Sequence, residues 1–366
     1  MKLLTLLTAM ILLSFADHKK SFSIKCVIVG MPDSSKLMLQ NLTTGTFIDS
    51  AIVIHEKFTF TGTLPGSEPE ELRIISSMED IAKGKIYYTD LLIGNEQVTI
   101  EGSVSDFPNN FNTRGSKTQS EAEDYYKELN KWTRKIKEYN VLIRNADSIK
   151  KKQMEPALQI LKDSVEQWKV TYIKQNFDKY IGLLLYNYRK DFPVTTLKSL
   201  FVKIPPALMK SKYGKAISMQ IGYPKPVVGG QFYEFEAINA DGKPENISTA
   251  DGKYKLLQFA GTGCYWSGLS VKSMKSIYKK YQDSVSFVSF FIDTEKNTWL
   301  KTTRESGITW LSVWTEGGKY GEVYNKYSIN GTPTFFIISP DGKILSQWFG
   351  YEEGLIEKEL DKFITP

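Results

Sequence analysis

The sequence predicts an α/β domain at its C-terminal end, with a central mixed sheet flanked by helices, preceded by a β-rich N-terminal domain and a helical middle region. Three observations predict this arrangement. Apolar and polar residues alternate in short runs near the N-terminus, apolar residues recur every three or four positions in the middle, and strand and helix patterns alternate after about residue 222. A chain of 366 residues is long enough for two or three domains.

Residues 1–16 have the pattern of a cleavable signal peptide. A basic Lys2 precedes the apolar run from Leu3 to Phe15, and small residues, Ser14 and Ala16, stand where cleavage would occur. The run is shorter than the ~20 residues that a membrane-spanning helix needs. We therefore expect an exported protein of the periplasm or cell envelope.

Residues 17–115 have the pattern of a β-sandwich-like domain. Segments such as Ser23–Val29 and Lys57–Thr61 alternate apolar and polar residues, and Gly, Pro, Asn and Asp separate them. Such runs are typical of short strands with one buried face. The pattern predicts antiparallel pairing.

Residues 116–215 have a helical pattern. Apolar residues recur at steps of three and four at Leu129, Trp132, Ile136, Tyr139 and Ile143. This period is typical of amphipathic helices that pack on each other or on a neighbouring domain. The prolines at 205 and 206 and the Gly- and Pro-rich stretch 222–230 predict a helix-free linker into the last domain.

Residues 222–366 alternate strand and helix patterns. Apolar strands are expected at Tyr254–Ala260, Val285–Ile292 and Thr334–Ile338, with helices beginning near Tyr265 and Trp299. Alternation of this kind predicts an α/β domain built on a central sheet.

Cys264 has the sequence context of a reactive thiol. The segment 255–270 reads KLLQFAGTGCYWSGLS, in which an apolar strand runs into a glycine-rich turn and the cysteine begins a helix. Unpaired N–H groups and the helix dipole favour thiolate at such a position, so we expect a lowered pKa. Ser267 lies one helical turn further on the same side, within reach to donate a hydrogen bond to the sulfur.

This segment resembles the active-site strand and turn of the thioredoxin-like TlpA and ResA family of envelope thiol-disulfide oxidoreductases. The later segment YSINGTPTFFIISPDGKIL resembles the family's Thr-Pro turn, strand and hairpin. The resemblance implies a cis Pro333 beside the sulfur of Cys264, with Thr332 and Pro333 on the substrate side. The bulky side chains of Tyr265 and Trp266 would crowd or cover the sulfur, as a substrate-binding face or as a lid, and we take both as candidate substrate-binding residues. In the N-terminal region, FIDSAIVIHEKFTFTGTL resembles an uncharacterised β domain that precedes such modules.

The chain departs from the family at the second cysteine, because Ser267 makes the motif C-x-x-S. A second thiol normally resolves the mixed disulfide, which a hydroxyl cannot do. Gln258 also stands where many thioredoxins have a buried acid.

Three functional hypotheses follow from this sequence: a monothiol oxidoreductase or isomerase acting through Cys264, a catalytically inactive peptide- or protein-binding module, and a peroxidase. The peroxidase motif is absent, because Gly261 and Leu257 replace its Thr or Ser and its Pro.

The remaining composition limits the kinds of site and partner that we expect for this chain. Cys26 and Cys264 are the only cysteines, so no disulfide framework is expected, and Cys26 fits a partly buried strand position. The only histidines, His18 and His55, lie outside the α/β domain, so we expect no Cys–His pair and no metal site around Cys264. The net charge of +6 is dispersed, which disfavours nucleic acid. We expect protein or peptide thiols and disulfides of the envelope as partners and no cofactor, and the oligomeric state stays open.

Overall fold

A computed structural model describes residues 21–364, in which β-rich, helical and α/β regions follow one another. This order confirms the predicted fold class. The expected signal peptide, residues 1–16, lies outside the described residues. Within residues 21–364, no helix has both the length and the apolar character needed to cross a membrane.

The β-rich region contains eight strands in two four-stranded sheets that share one apolar core. Its elements are β1 (Phe22–Val29), β2 (Lys36–Asn41), β3 (Phe47–Ile52), β4 (Lys57–Gly62), β5 (Glu70–Ser76), α1 (Met78–Ala82), β6 (Tyr88–Ile93), β7 (Gln97–Ser103) and β8 (Asn112–Arg114). The sheet orders are β4-β1-β7-β8 and β3-β2-β5-β6. The buried residues of β1 alternate with less buried ones, as the sequence pattern predicted.

The expectation of purely antiparallel pairing is wrong for one pair, because β1 and β7 run parallel. The other pairings in these two sheets are antiparallel. Parallel neighbours need a long connection, and the chain between β1 and β7 supplies one by building the second sheet. A local alternation pattern predicts the strand but carries no information about the direction of so distant a partner.

The middle region is helical, as predicted. Its helices are α2 (Lys117–Asn145), α3 (Ser148–Gln175), α4 (Tyr180–Arg189), α5 (Val194–Phe201), α6 (Pro206–Met209) and α7 (Lys212–Gly222). The helices α2 and α3 form a long hairpin in which Ser116 and Asp147 cap the two N-termini through their side chains. The shorter helices enclose a core that includes Phe177, Ile181 and Tyr213.

The chain near residue 205 differs from the helix-free linker that the prolines predicted. Pro206 is the first residue of α6, a position where a helix needs no N–H donor. Helix α7 then continues to Gly222, beyond residue 215 where the sequence pattern placed the end of the helical region. The two prolines therefore keep the chain after α5 from continuing as one helix, and Pro206 begins the next helix.

The α/β region contains a seven-stranded sheet in the order β10-β9-β13-β12-β11-β14-β15. Its elements are β9 (Phe235–Asn239), β10 (Pro244–Ile247), β11 (Tyr254–Ala260), α8 (Tyr265–Tyr281), β12 (Val285–Phe291), α9 (Lys296–Glu305), β13 (Leu311–Trp314), α10 (Glu322–Lys326), β14 (Thr334–Ile338), β15 (Ile344–Phe349) and α11 (Leu355–Leu360). Strands β11, β12 and β13 are parallel and the other pairings are antiparallel, so the sheet is mixed.

The central strand β11 positions the turn that carries Cys264. All its residues except Tyr254 are buried, because cores lie on both faces of the sheet. A strand buried on both faces is apolar almost throughout, which explains the run that the sequence shows here. Its carboxyl end leads directly into the turn before Cys264.

The three regions meet at Glu71 of β5. The Glu71 carboxylate accepts hydrogen bonds from the Tyr188 hydroxyl of α4 at 2.6 Å and from the Lys319 amine of the α/β region at 3.1 Å. Burial and the negative charge of Glu71 raise the pKa of Tyr188, which therefore remains a hydrogen-bond donor. One side chain thus connects the β-rich, helical and α/β regions.

Candidate active site

Cys264 lies at the carboxyl end of the central strand, where the chain turns into α8. It is the N-cap residue of α8, and the Gly268 N–H donates to its carbonyl oxygen at 3.1 Å. Cys264 is half-buried, whereas Tyr265 and Trp266 are 71% and 53% exposed. Both aromatic rings therefore face solvent and do not pack as a closed cover.

Thr332 and Pro333 lie against this turn. The Cys264 Sγ atom is 3.2 Å from the carbonyl oxygen of Thr332, a distance at which the thiol can donate a hydrogen bond. The Thr332–Pro333 peptide bond is cis, and the Pro333 carbonyl accepts a hydrogen bond from the Gly350 N–H at 2.8 Å. The structure thus brings together the cysteine and the Thr-Pro loop, which are 68 residues apart in the chain.

The surroundings of Cys264 lower its pKa. Burial acts in the opposite direction and raises it, but hydrogen bonds from the side chains of Ser267 and Thr332 and from the N–H groups of Ser267 and Trp266 together lower it more. These N–H groups belong to the first turn of α8, where backbone donors have no partner within the helix. The helix start therefore favours the thiolate, the form that attacks disulfides.

Ser267 occupies the position of a second thiol but supplies only a hydroxyl. Ser267 is 2% exposed, and its Oγ atom accepts a hydrogen bond from the Gly261 N–H at 3.3 Å. This leaves the hydroxyl hydrogen available to the sulfur. Ser267 can thus hold the turn and stabilise negative charge on Cys264, but it cannot form a disulfide.

Behind α8, Gln258 belongs to a fully neutral buried network. Its Nε2 donates to Ser270 Oγ at 2.7 Å, and its Oε1 accepts from Ser289 Oγ at 2.7 Å. The Trp310 Nε1 donates to Ser289, and the Ser270 hydroxyl donates to the Ser267 carbonyl. Every side chain of this network has a hydrogen-bond partner, so the Gln258 amide fills the buried position without placing a charge there.

Asp293 is a residue of this site that the sequence reasoning missed. It follows β12, and its carboxylate accepts hydrogen bonds from the Thr262 N–H at 3.2 Å and the Thr262 hydroxyl at 2.7 Å. Burial raises the pKa of Asp293, and the Thr262 hydrogen bonds partly offset that effect. Its position directly after a buried strand was the available signal, because parallel strands end at the same edge of a sheet.

Phe349 was also missed, and its ring lies over the loop before Thr332. Phe349 is 70% exposed, and a Cβ atom added to Gly331 would come within 2.7 Å of its ring. Position 331 therefore accommodates only glycine without displacing the ring. Phe349 is thus an exposed aromatic side chain beside the loop that leads to Thr332.

Cys26 and His55 lie apart from this site. Cys26 is 2% exposed in the core of the β-rich region, a deeper burial than the sequence suggested, and burial raises the pKa of its thiol. His55 is exposed in the same region, 3.7 Å from the Asp33 carboxylate, and His18 lies outside the described residues. Cys264 is thus the accessible thiol of the described chain.

Two family models match parts of the sequence. Residues 252–344 match a thioredoxin-like family, and residues 22–122 match a domain of unknown function, DUF4369. Curated relatives include the thiol-disulfide oxidoreductase ResA of Bacillus cereus, which is 24% identical over 160 residues, 43% of this chain and 87% of the relative. ResA of Bacillus anthracis is 25% identical over 148 residues, 39% of this chain and 81% of the relative.

Solved structures similar to the α/β region include the thioredoxin domain of a thiol-disulfide oxidoreductase from Bacteroides vulgatus. It is 22% identical, with a TM-score of 0.35, over 38% of this chain and 99% of the other. A thiol-disulfide oxidoreductase from Bacteroides fragilis is 21% identical, with a TM-score of 0.34, over 37% and 100%. From its sequence match and its sheet, the C-terminal part of the chain is a thioredoxin-like domain, and a DUF4369 domain lies at the N-terminal end.

Proposed function

We propose that this chain is a monothiol thiol-disulfide oxidoreductase or isomerase in which Cys264 is the nucleophile. One observation carries the proposal: a half-buried sulfur with a lowered pKa lies at the start of α8, 3.2 Å from the carbonyl of Thr332. The same arrangement would be unnecessary in a domain that only binds peptides. The names of the ResA relatives support thiol-disulfide chemistry as the reaction class.

The chemistry needs one thiolate from the protein and two sulfurs from the substrate. The Cys264 thiolate attacks one sulfur of a substrate disulfide, forms a mixed disulfide with it and expels the other sulfur as a thiolate. A different thiol of the same substrate then attacks the substrate sulfur of the mixed disulfide, forms a new disulfide within the substrate and releases Cys264 as a thiolate. The substrate's disulfide is thereby moved, with no net oxidation. If a small thiol performs the second step instead, that thiol remains bound to the substrate as a mixed disulfide.

Four residues form the proposed substrate side. Backbone groups of Thr332 and Pro333 border the sulfur, and Tyr265 and Trp266, which directly follow Cys264, offer exposed aromatic surface. Aromatic rings with exposed faces gain free energy by covering apolar groups of a partner. We expect cysteine-containing segments of proteins or peptides as substrates.

The proposed setting is the bacterial envelope. The pattern of residues 1–16 is that of an export signal, and disulfide exchange is productive in an oxidising compartment. An N-terminal sequence of the protein purified from the envelope fraction checks this directly. A mature chain that begins after Ala16 is expected, and an intact Met1 in a cytosolic fraction would contradict it.

The test of the reaction is capture of a mixed disulfide. The purified protein is incubated at pH 7 with a peptide whose single cysteine is activated as a disulfide, and the adduct is located by mass spectrometry. We expect an adduct on Cys264, none in Cys264→Ala, and an unchanged adduct in Cys26→Ala, the matched cysteine control. A wild-type chain that binds the peptide without forming the adduct would instead support the inactive binding module.

A further inference from the structure

Lys190 of the helical region is buried against the thioredoxin-like domain. It follows the last turn of α4 in a left-handed conformation (φ 50°) and is 5% exposed. Its Nζ atom donates to the carbonyl oxygen of Ile329 at 2.9 Å and lies 4.1 Å from the centre of the Tyr324 ring. Both of these partners belong to the segment that leads into the Thr332–Pro333 loop.

A second hydrogen bond joins the same two segments in the opposite direction. The Asn330 side chain donates to the carbonyl oxygen of Arg189 at 2.7 Å. The Arg189 guanidinium is itself held by Glu166 and Asp191, each at 2.7 Å. The ion pairs of Arg189 thus hold the end of α4 in place. The consecutive residues 189 and 190 bind the consecutive residues 330 and 329.

The Lys190 contact is costly for the fold. Burial and the nearby charge of Lys319 lower the pKa of Lys190 to about 7, and no carboxylate among the described residues forms an ion pair with it. An apolar side chain of similar length would fill the space without this cost. The amine supplies what an apolar chain cannot, a hydrogen bond to the Ile329 carbonyl and, when protonated, a charge against the Tyr324 ring.

We propose that Lys190 is a positioning residue that holds the loop Ser328–Pro333 against Cys264, which gives the helical region a role in substrate binding. This inference rests on the proposed function, because the loop borders the sulfur through the Thr332 carbonyl. Only two residues, Asn330 and Gly331, lie between Ile329 and Thr332. Displacement at Ile329 is therefore passed along a short stretch of backbone to the edge that a substrate peptide would meet.

The experiment compares Lys190→Met with wild type and with Lys174→Met. Lys174 is a matched control, since it is an exposed lysine of the same region that also lies near an aromatic ring, Phe192 at 5.5 Å. Loss of one buried hydrogen bond corresponds to an effect of about tenfold. We expect about that increase in hydrogen–deuterium exchange of residues 328–334 in Lys190→Met, and none in Lys174→Met.

Two reagents separate positioning from general stability. The rate of adduct formation with the activated peptide should fall about tenfold in Lys190→Met, by the same hydrogen-bond estimate, while the rate with a small aromatic disulfide stays at the wild-type value. Asn330→Ala, which removes the reciprocal bond at an exposed residue, should shift both readouts in the same direction.

Unchanged exchange of residues 328–334 in both variants would overturn the proposal. Equal slowing with both reagents, accompanied by unfolding at lower denaturant, would also overturn it, because Lys190 would then be merely structural. A wild-type chain that forms no peptide adduct refutes the proposed function alone. Hydrogen exchange still decides in that case whether Lys190 holds the loop.

Discussion

The Cys264 Sγ atom and the Thr332 carbonyl oxygen, 3.2 Å apart, form a contact that only the neutral thiol can make as a hydrogen bond. Ionisation removes the donor, and the sulfur is then stabilised by the side chains of Ser267 and Thr332 and by the N–H groups at the start of α8. The site therefore offers different partners to the two protonation states. The lowered pKa means that the hydrogen bonds to the sulfur together outweigh the effect of burial.

Replacement of Ser267 by alanine should raise the pKa of Cys264, because the side-chain hydrogen bond to the sulfur is lost. At pH 7 less of the sulfur is then thiolate, and alkylation by iodoacetamide should slow several-fold. Ser276→Ala is the control, since Ser276 lies on the exposed face of the same helix. Equal alkylation rates in the two variants would show that the Ser267 hydroxyl does not act on the sulfur.

Replacement of Ser267 by cysteine should create a dithiol site. Ser267 lies one turn after Cys264 and is buried, a position from which a thiol can attack a mixed disulfide at Cys264. The variant should catalyse insulin reduction by dithiothreitol, which wild type should not. Ser270→Cys is the matched control, because Ser270 is equally buried on α8 but points into the Gln258 network. Activity in both variants, or in neither, contradicts the assigned geometry.

Gln258→Glu should destabilise the fold at neutral pH. The side chain is fully buried among hydroxyl groups, so a carboxylate there would cost about 3 kcal/mol. Burial raises the pKa of such an acid in the folded state, so the folded chain binds more protons than the unfolded one. Stability is thus greatest at acidic pH and is lost as pH rises through the folded-state pKa. Urea unfolding of this variant and of Gln282→Glu, at an exposed residue, checks the difference.

Lys190 should make the free energy of unfolding rise with pH above pH 7, the opposite of the effect expected for Gln258→Glu. Its folded-state pKa of about 7 lies below the unfolded value of 10.5, so between these values only the unfolded chain binds the proton. Stability should therefore rise with pH in this window, by up to about 1.4 kcal/mol per pH unit. Lys319 is the charge that faces Lys190, and it remains in both chains. Unfolding curves of wild type and Lys190→Met at pH 7 and pH 9 should differ in this slope, and identical slopes would refute the buried lysine.

The sequence predicted those parts of the fold that depend on local pattern. The bounds of β11, α8 and β14 coincide with the predicted segments, because a buried strand between turn residues and a helix after a glycine-rich turn leave short-range signals. The parallel pairing of β1 with β7 left no such signal. Nor did the helix that begins at Pro206, since the same residue type ends one helix and starts another.

The site divides in the same way. The position of Cys264 at a helix start followed from its neighbours in the sequence, whereas the closeness of Thr332 was implied only by family resemblance. Lys190 and its partner Ile329 are 139 residues apart, and Asp293 and Thr262 are 31 apart. Burial creates the unusual properties of Lys190 and Asp293, and burial by distant segments is invisible in a local pattern.

The pH dependence of Cys264 alkylation tests the central claim most directly. The native protein is treated with iodoacetamide between pH 5 and pH 10, and the modified Cys264 peptide is quantified by mass spectrometry, with buried Cys26 as the internal unreactive thiol. The account predicts a midpoint below the value of about 8.5 that is usual for a free cysteine. A midpoint at or above that value would contradict a thiolate stabilised at the start of α8.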